Sequence, residues 1–248
     1  MLIQSDYHIH ASFYRAKNPG DIAGPTVKEQ IAAARAAGNE FVGIVEHCNA
    51  SPRHPFHCLV EMSAEFHAAG FDRENAFLGV EADLLDDGGD HCGKAGREVL
   101  QLDYVIGSVH ASPPVIPDFQ EYLHTEYRRI TNALKYNDNI DIIGHPFGEG
   151  IRWEKSGAIE KWSWSLIPEK FLEDILQLAK ESGKALEMNR CCLSDEVYID
   201  FWRRIRDEKI IFSVGSDAHQ TAGVSESRCR TKFLESMDFD EKNHWRLK

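Results

Sequence analysis

Residues 41–47 read FVGIVEH, a short apolar run that ends in a carboxylate and an imidazole. A run this brief, rich in β-branched residues, predicts a buried strand rather than a helix. The same form recurs along the chain: SDYHIHAS at 5–12, AFLGVEADLL at 76–85, YVIGSVHA at 104–111, DIIGHP at 141–146, KALEMNR at 184–190 and FSVGSDAH at 212–219. Helix-like segments fill the intervals. Thr26 and Glu29 form a capping-box signature ahead of VKEQIAAARAA, with Gly38 as its C-cap. HCLVEMSAEFHAA stops at Gly70, and EYLHTEYRRITNALKY is amphipathic. PEKFLEDILQLAKES places Pro168 at a first helical position and Gly183 past the end, and Asp195 and Glu196 open VYIDFWRRIRD. Seven strands alternating with helical crossovers predict an α/β fold, an irregular (β/α)7 TIM-like barrel. No linker, repeat or low-complexity tract interrupts residues 1–248, so one domain is expected.

The bulk properties bound the function. The chain is 42% apolar and 27% charged, ample for a core without staples. Six cysteines show no CxxC spacing, and no secretory leader or membrane-length apolar span is evident, so a cytoplasmic protein with reduced thiols is expected. Basic residues number 28 against 40 acidic, a net charge of −12. Such a surface repels nucleic acid and anionic lipid, and neither is an expected partner.

The chemistry lies at the strand ends. His8, His10, His47, Glu81, His110, His145, Asp217 and His219 each fall at the tail of an apolar run. Strand side chains alternate, so His8 and His10 share a direction, as do Asp217 and His219. The tips of parallel barrel strands converge on one face. HxH alone is a weak signal, and a lone histidine after a strand is more often structural than a ligand. Their shared position, repeated from one end of the chain to the other, points to one metal centre. Asp217 is the strongest single signal, because charge ending an apolar strand needs a partner. Glu81 can bridge two cations, since a carboxylate has two oxygens. Asp6, two residues before His8, is expected either to hold a ring N–H of the imidazoles or to bond backbone.

These motifs (DYHIH, EHCNA, GVEAD, GSVH, GHP and GSDAH, in that order) resemble the PHP (polymerase and histidinol phosphatase) family across essentially the whole chain. The resemblance implies an irregular barrel holding up to three divalent ions; two to three are expected here, and histidine with carboxylate ligation suits Zn, Mn or Fe. Carried over, the first ion takes His8, His10, Glu81 and Asp217; the second takes Glu81, His110 and His145; the third takes His47 and His219 with a histidine from the loop after the first strand. That loop, ASFYRAKNPG, has no histidine, and Arg15 and Lys17 stand there instead. His54, His57 or water could complete the third set.

The expected activity is a phosphoric monoester hydrolase, histidinol-phosphatase-like, acting on a small phosphorylated substrate with a metal-activated water. Asp217, His219 and Glu81 are the expected catalytic residues, with His219 or His47 protonating the leaving alkoxide. Arg190, Arg152 and Lys17 are the expected phosphate-gripping residues. Another metallohydrolase chemistry, such as C–N hydrolysis, and a non-catalytic metal-binding protein are the competing readings. The long loop 147–167, with three tryptophans, reads as a lid, a pocket wall or a packed surface loop.

Overall fold

The computed structural model describes residues 2–12, 24–111, 116, 118–190, 192 and 194–247. Its strands are β1 (Ser5–His10), β2 (Phe41–Val45), β3 (His47–Cys48), β4 (Ala76–Asp83), β5 (Tyr104–Ser108), β6 (Ile142–Ile143), β7 (Ala185–Met188) and β8 (Phe212–Val214). All pair in parallel, in the order β1-β2-β4-β5-β6-β7-β8, with β3 also on β4. Only Glu46 separates β2 from β3, so the two form one stave and the barrel has seven. It closes where His10 N donates to Ala218 O (3.0 Å) and Asp217 N donates to His8 O (2.8 Å).

The crossovers are α1 (Val27–Ala36), α2 (Phe56–Ala68), α3 (Gly93–Leu100), α4 (Phe119–Tyr136), α5 (Gly150–Lys155), α6 (Glu169–Ser182) and α7 (Glu196–Asp207); α8 (Ser227–Ser236) follows β8. The Thr26–Glu29 capping box is present at α1, whose cap is Ala37 with Gly38 beyond it at positive φ. At α6, Pro168 is the N-cap rather than the first helical residue, and Gly183 ends the helix in the left-handed region. Asp195 caps α7 by accepting from Tyr198 N.

Two apolar layers result. The larger one packs helices against the outer faces of the strands, with Ile9, Ile31, Ile44, Leu59, Leu78 and Ile175 in it. The smaller one, Tyr7, Val45, Phe77, Tyr104, Ile106, Ile142 and Ala185, packs separately, with Trp245 and Leu247 against it. It fills the N-terminal end of the barrel. Gly79 makes this possible: a Cβ there would sit 2.6 Å from the Tyr104 ring. Tyr104 Oη donates to Tyr7 O at 2.5 Å, and Trp245 meets Tyr7 edge-on with centroids 4.8 Å apart. The terminal segment is pinned by Trp245 N donating to Phe212 O at 2.7 Å.

Tyr7 and Ile9 are two residues apart on one strand yet belong to different layers. The cause is an irregularity in β1: its register against β2 slips between Asp6 and Ile9. An extra residue in a strand inverts the facing of everything after it. Here it turns Ile9 out toward the helices and His8 and His10 inward. No described helix is long and apolar enough to cross a membrane.

Candidate metal centre

The structure brings all eight sequence-predicted histidines and carboxylates together at the C-terminal end of the barrel. His8 and His10 end β1, His47 begins β3, and Glu81 lies near the end of β4. His110, His145, Asp217 and His219 stand two to five residues beyond the last residues of β5, β6 and β8. Glu81 is central and fully buried. Its Oε1 lies 2.7 Å from His145 Nε2 and 3.4 Å from both His8 Nε2 and His110 Nε2. Its Oε2 lies 2.7 Å from His47 Nδ1 and 3.4 Å from His10 Nε2. Asp217 Oδ1 is 3.1 Å from His10 Nε2 and 3.7 Å from His8 Nε2.

The orientation of the rings is set from behind. His8 Nδ1 meets the Glu187 carboxylate at 2.9 and 3.1 Å, His10 Nδ1 meets Glu46 at 3.3 Å, and His110 Nδ1 meets Asp83 at 2.7 Å. His219 Nδ1 donates to Asp217 O at 3.1 Å. An acceptor at Nδ1 puts the proton there and leaves the Nε2 lone pair aimed at the centre. Lone pairs then face one another: His8 Nε2 to His10 Nε2 at 3.1 Å, and His47 Nε2 to His219 Nε2 at 3.3 Å. With both rings neutral and protonated at Nδ1 the first pair shares no hydrogen, and a proton held between them competes with a cation.

That arrangement fits cations. Glu81 Oε2 and His47 Nδ1 are buried, 2.7 Å apart, and neither has a hydrogen-bond partner. Three groups present one donor atom each within a shared space: His10, His47 and His219; His8, His10 and Asp217; and His47, Glu81 and His110. These differ in part from the sets implied by the family resemblance, with His10 and His47 each joining two groups. Imidazole and carboxylate donors suit Zn, Mn or Fe.

Electrostatics follow the same pattern. Burial works against ionisation of Glu81, but His110, His8 and His47 outweigh it and hold the carboxyl well below its ordinary value. Burial likewise opposes Asp217, and His10 and His8 hold it low. His8 and His110 lie above the imidazole range, because Glu187, Glu81 and Asp83 outweigh burial. Burial and the neighbouring His10 push His219 down to about 3. Cation binding at such a set competes with the protons on its imidazoles.

Two strained residues are part of the assembly. Asp217 has φ 56° and His145 has φ 28°, conformations that cost non-glycine residues of order 1–3 kcal/mol. Asp217 N is tied to His8 O, and His145 N donates to Glu187 Oε2 at 3.0 Å. Phe147, at φ 56°, donates its N–H to buried Glu126 Oε1 at 2.8 Å. A Cβ at Gly215 would lie 2.1 Å from Glu187 Oε1 and 2.6 Å from His8 Cβ, so only glycine admits the His8–Glu187 pair.

Asp6 takes the backbone alternative. Its Oδ1 accepts from Ser216 N at 2.9 Å and His8 N at 3.2 Å, and no imidazole is bonded to it. The β1 irregularity explains this, since Asp6 precedes it and the histidines follow it. The carboxylates that meet the rings, Glu187, Glu46 and Asp83, went unassigned in the sequence. Asp83 carried a usable signal, two residues after Glu81 on the same strand; Glu187, inside KALEMNR, carried none.

The remaining expected residues divide. Arg190 lines a cavity that opens beside the centre, along with His145 and Glu187. Arg152 is mostly exposed, pairs with Glu149 at 3.1 Å and does not line that cavity. Lys17 and Arg15 lie outside the described residues. His54 stacks on His47 with centroids 4.7 Å apart and has its Nδ1 3.1 Å from Asn49 Oδ1. In the long loop, Trp162 and Trp164 wall the cavity.

The PHP domain family model matches residues 6–191, three quarters of the chain. The chain therefore belongs to the PHP domain family. Among solved structures it is similar to histidinol phosphate phosphatase from Lactococcus lactis, in complex with zinc, L-histidinol and phosphate. The TM-score is 0.59 at 17% identity, covering 97% of this chain and 95% of that one. At that identity the likeness is one of fold. It is also similar to an archaeal ribonuclease P structure with mature tRNA, with a TM-score of 0.48 at 11% identity, covering 88% of this chain and 83% of that one. No curated protein matches the sequence.

Proposed function

We propose that the chain is a metal-dependent phosphoesterase that hydrolyses a small-molecule phosphate monoester. The observation that carries this reading is the inward convergence of imidazole Nε2 atoms and two carboxylates, with His8, His10 and His110 fixed by acidic partners at Nδ1. Family membership and the fold likeness to a histidinol phosphate phosphatase support it.

In this reading His8, His10, His47, Glu81, His110, His145, Asp217 and His219 hold two to three divalent cations. When bound, such cations lower the pKa of water and neutralise the charge of phosphate oxygens. Glu81 turns Oε1 toward His145, His8 and His110 and Oε2 toward His47 and His10, and would hold cations through both oxygens. Asp217, kept ionised by His10 and His8, adds charge at the rim. His219 is read as a ligand through Nε2, because its Nδ1 donates to Asp217 O. In the net reaction a water oxygen bonds to phosphorus as the ester P–O bond breaks. The water's proton ends on the departing alcohol. Glu187, Glu46 and Asp83 position the rings. Arg190 is the candidate substrate grip, and the acidic surface leaves the centre to supply the attraction for an anionic substrate.

The test is phosphate release from p-nitrophenyl phosphate and a panel of phosphate monoesters including histidinol phosphate. It is run after chelation and after readdition of Mn, Zn, Fe or Mg. Restoration of turnover by metal is expected. Metal that rebinds without restoring turnover on any ester overturns the reading.

A further inference from the structure

The cavity beside the centre is about 90 Å³, and aromatic rings dominate its wall: Phe147, Trp162, Trp164, Tyr198, Phe201 and Trp202. It reaches the metal centre directly, since His145 lines it and places Nε2 2.7 Å from Glu81. An apolar cavity of about 150 Å³ holds benzene, so this one suits a smaller, branched or flat group.

Its unpaired polar content leans toward donors. The one lining carboxylate among the described residues, Glu187, is spent: its oxygens accept from His8 Nδ1 and His145 N. Tyr198 Oη is spent as a donor to Arg190 O. Donors remain. Asn189 Nδ2 and Trp202 Nε1 are buried without hydrogen-bond partners, and both residues line the cavity. Among the described residues no carboxylate pairs with the exposed Arg190 guanidinium at its edge. A buried donor without an acceptor is costly, and a ligand that supplies acceptors relieves that cost. Asn189 also carries an amide oxygen, so what disfavours an ammonium group there is the Arg190 cation at the edge and not a want of acceptors.

Resting on the phosphoesterase reading, we infer that this cavity takes the alcohol part of the substrate, and that the alcohol is a short, apolar hydroxy acid. Its branched chain lies among the rings, and its carboxylate accepts from Arg190 and Asn189. The class is the phosphate monoester of a short hydroxy acid, in preference to that of an amino alcohol. Histidinol phosphate, whose alcohol carries an amine, falls outside it.

The test compares three esters that share an isopropyl group: α-hydroxyisovalerate phosphate (carboxylate), isobutyl phosphate (neutral) and valinol phosphate (ammonium). In the metal-loaded protein, kcat/KM for the carboxylate ester is expected to exceed that for the ammonium ester by about tenfold or more, the scale of a charge-assisted hydrogen bond. Arg190→Gln is expected to lose about tenfold more on the carboxylate ester than on the neutral one. Equal loss on all three, or a preference for valinol phosphate, overturns the inference. A second readout needs no turnover. Trp162, Trp164 and Trp202 line the cavity, so free α-hydroxyisovalerate should shift tryptophan fluorescence at concentrations where valinol does not. If the free acid binds but no ester is hydrolysed, the phosphoesterase reading fails and the cavity assignment stands. If esters turn over but the acid neither binds nor outranks valinol, the cavity assignment fails alone.

Discussion

The two ends of the barrel are built from the same strands and do opposite things. At the N-terminal end, Tyr7, Phe77, Tyr104 and Trp245 interlock, and the buried Tyr104 hydroxyl finds its acceptor in the Tyr7 carbonyl. At the C-terminal end, a few residues further along the same strands, imidazoles and carboxylates crowd together with buried lone pairs facing one another. At the first end the buried tyrosine hydroxyl is matched internally. At the other, the facing polar atoms are matched only if cations enter. In parallel barrels one end serves stability and the other chemistry. In β1 the division falls within a single strand, where the register slips between Asp6 and Ile9, the stretch that holds Tyr7 of the apolar end and His8 of the centre.

That contrast breaks most sharply at Glu81. Glu81→Ala is expected to remove bound metal and lower phosphatase turnover by about a thousandfold or more, as loss of a bridging ligand dismantles the charge clamp. Metal content by elemental analysis and turnover on one ester check it; full activity refutes the site. The counterpart at the other end is Tyr104→Ala, expected to cost about 3–5 kcal/mol of stability. Folded protein that survives should keep its metal stoichiometry. Urea melts and metal content together measure the separation, and loss of metal from a folded variant would show that the two ends are not independent.

A smaller effect belongs to the residues behind the rings. Glu187→Gln leaves His8 without its charged partner and is expected to weaken metal affinity about 10–100-fold, read by competition with a chromophoric chelator. Smallest is a pH effect. Burial pushes the Glu126 carboxyl up from 4.5 to about 8, so the folded state keeps a proton that the unfolded chain has lost. Stability from this group is therefore present below 4.5 and is lost as pH rises toward about 8. Glu126→Gln should flatten that part of the stability–pH curve. An unchanged slope would mean that Glu126 is not the group responsible.

The sequence displayed the inward ligands and hid their supports. His8, His10, His47, Glu81, His110, His145, Asp217 and His219 were visible because each interrupts or ends an apolar run. The seven staves followed from the same runs, although β2 and β3 part at Glu46. Glu187 was invisible because a glutamate inside a short strand looks like any half-exposed strand residue; only the approach of β1 and Gly215 gives it His8 to hold. Asp6 was misleading because period-two alternation assumes a regular strand, and β1 is not regular. Pro168 illustrates a one-residue ambiguity: its fixed φ serves an N-cap as well as a first helical position. The cavity could be read only in part: loop 147–167 offered a pocket wall among its readings, but the meeting of that loop with the region after β7 and helix α7 is a matter of tertiary packing.

Anomalous diffraction from crystals soaked in manganese or zinc tests the central claim most directly. At least two cations are expected among the Nε2 atoms of His8, His10 and His110 and the carboxylates of Glu81 and Asp217. A well-ordered centre that takes up no cation at saturating metal, with the facing imidazoles instead sharing protons, would contradict it.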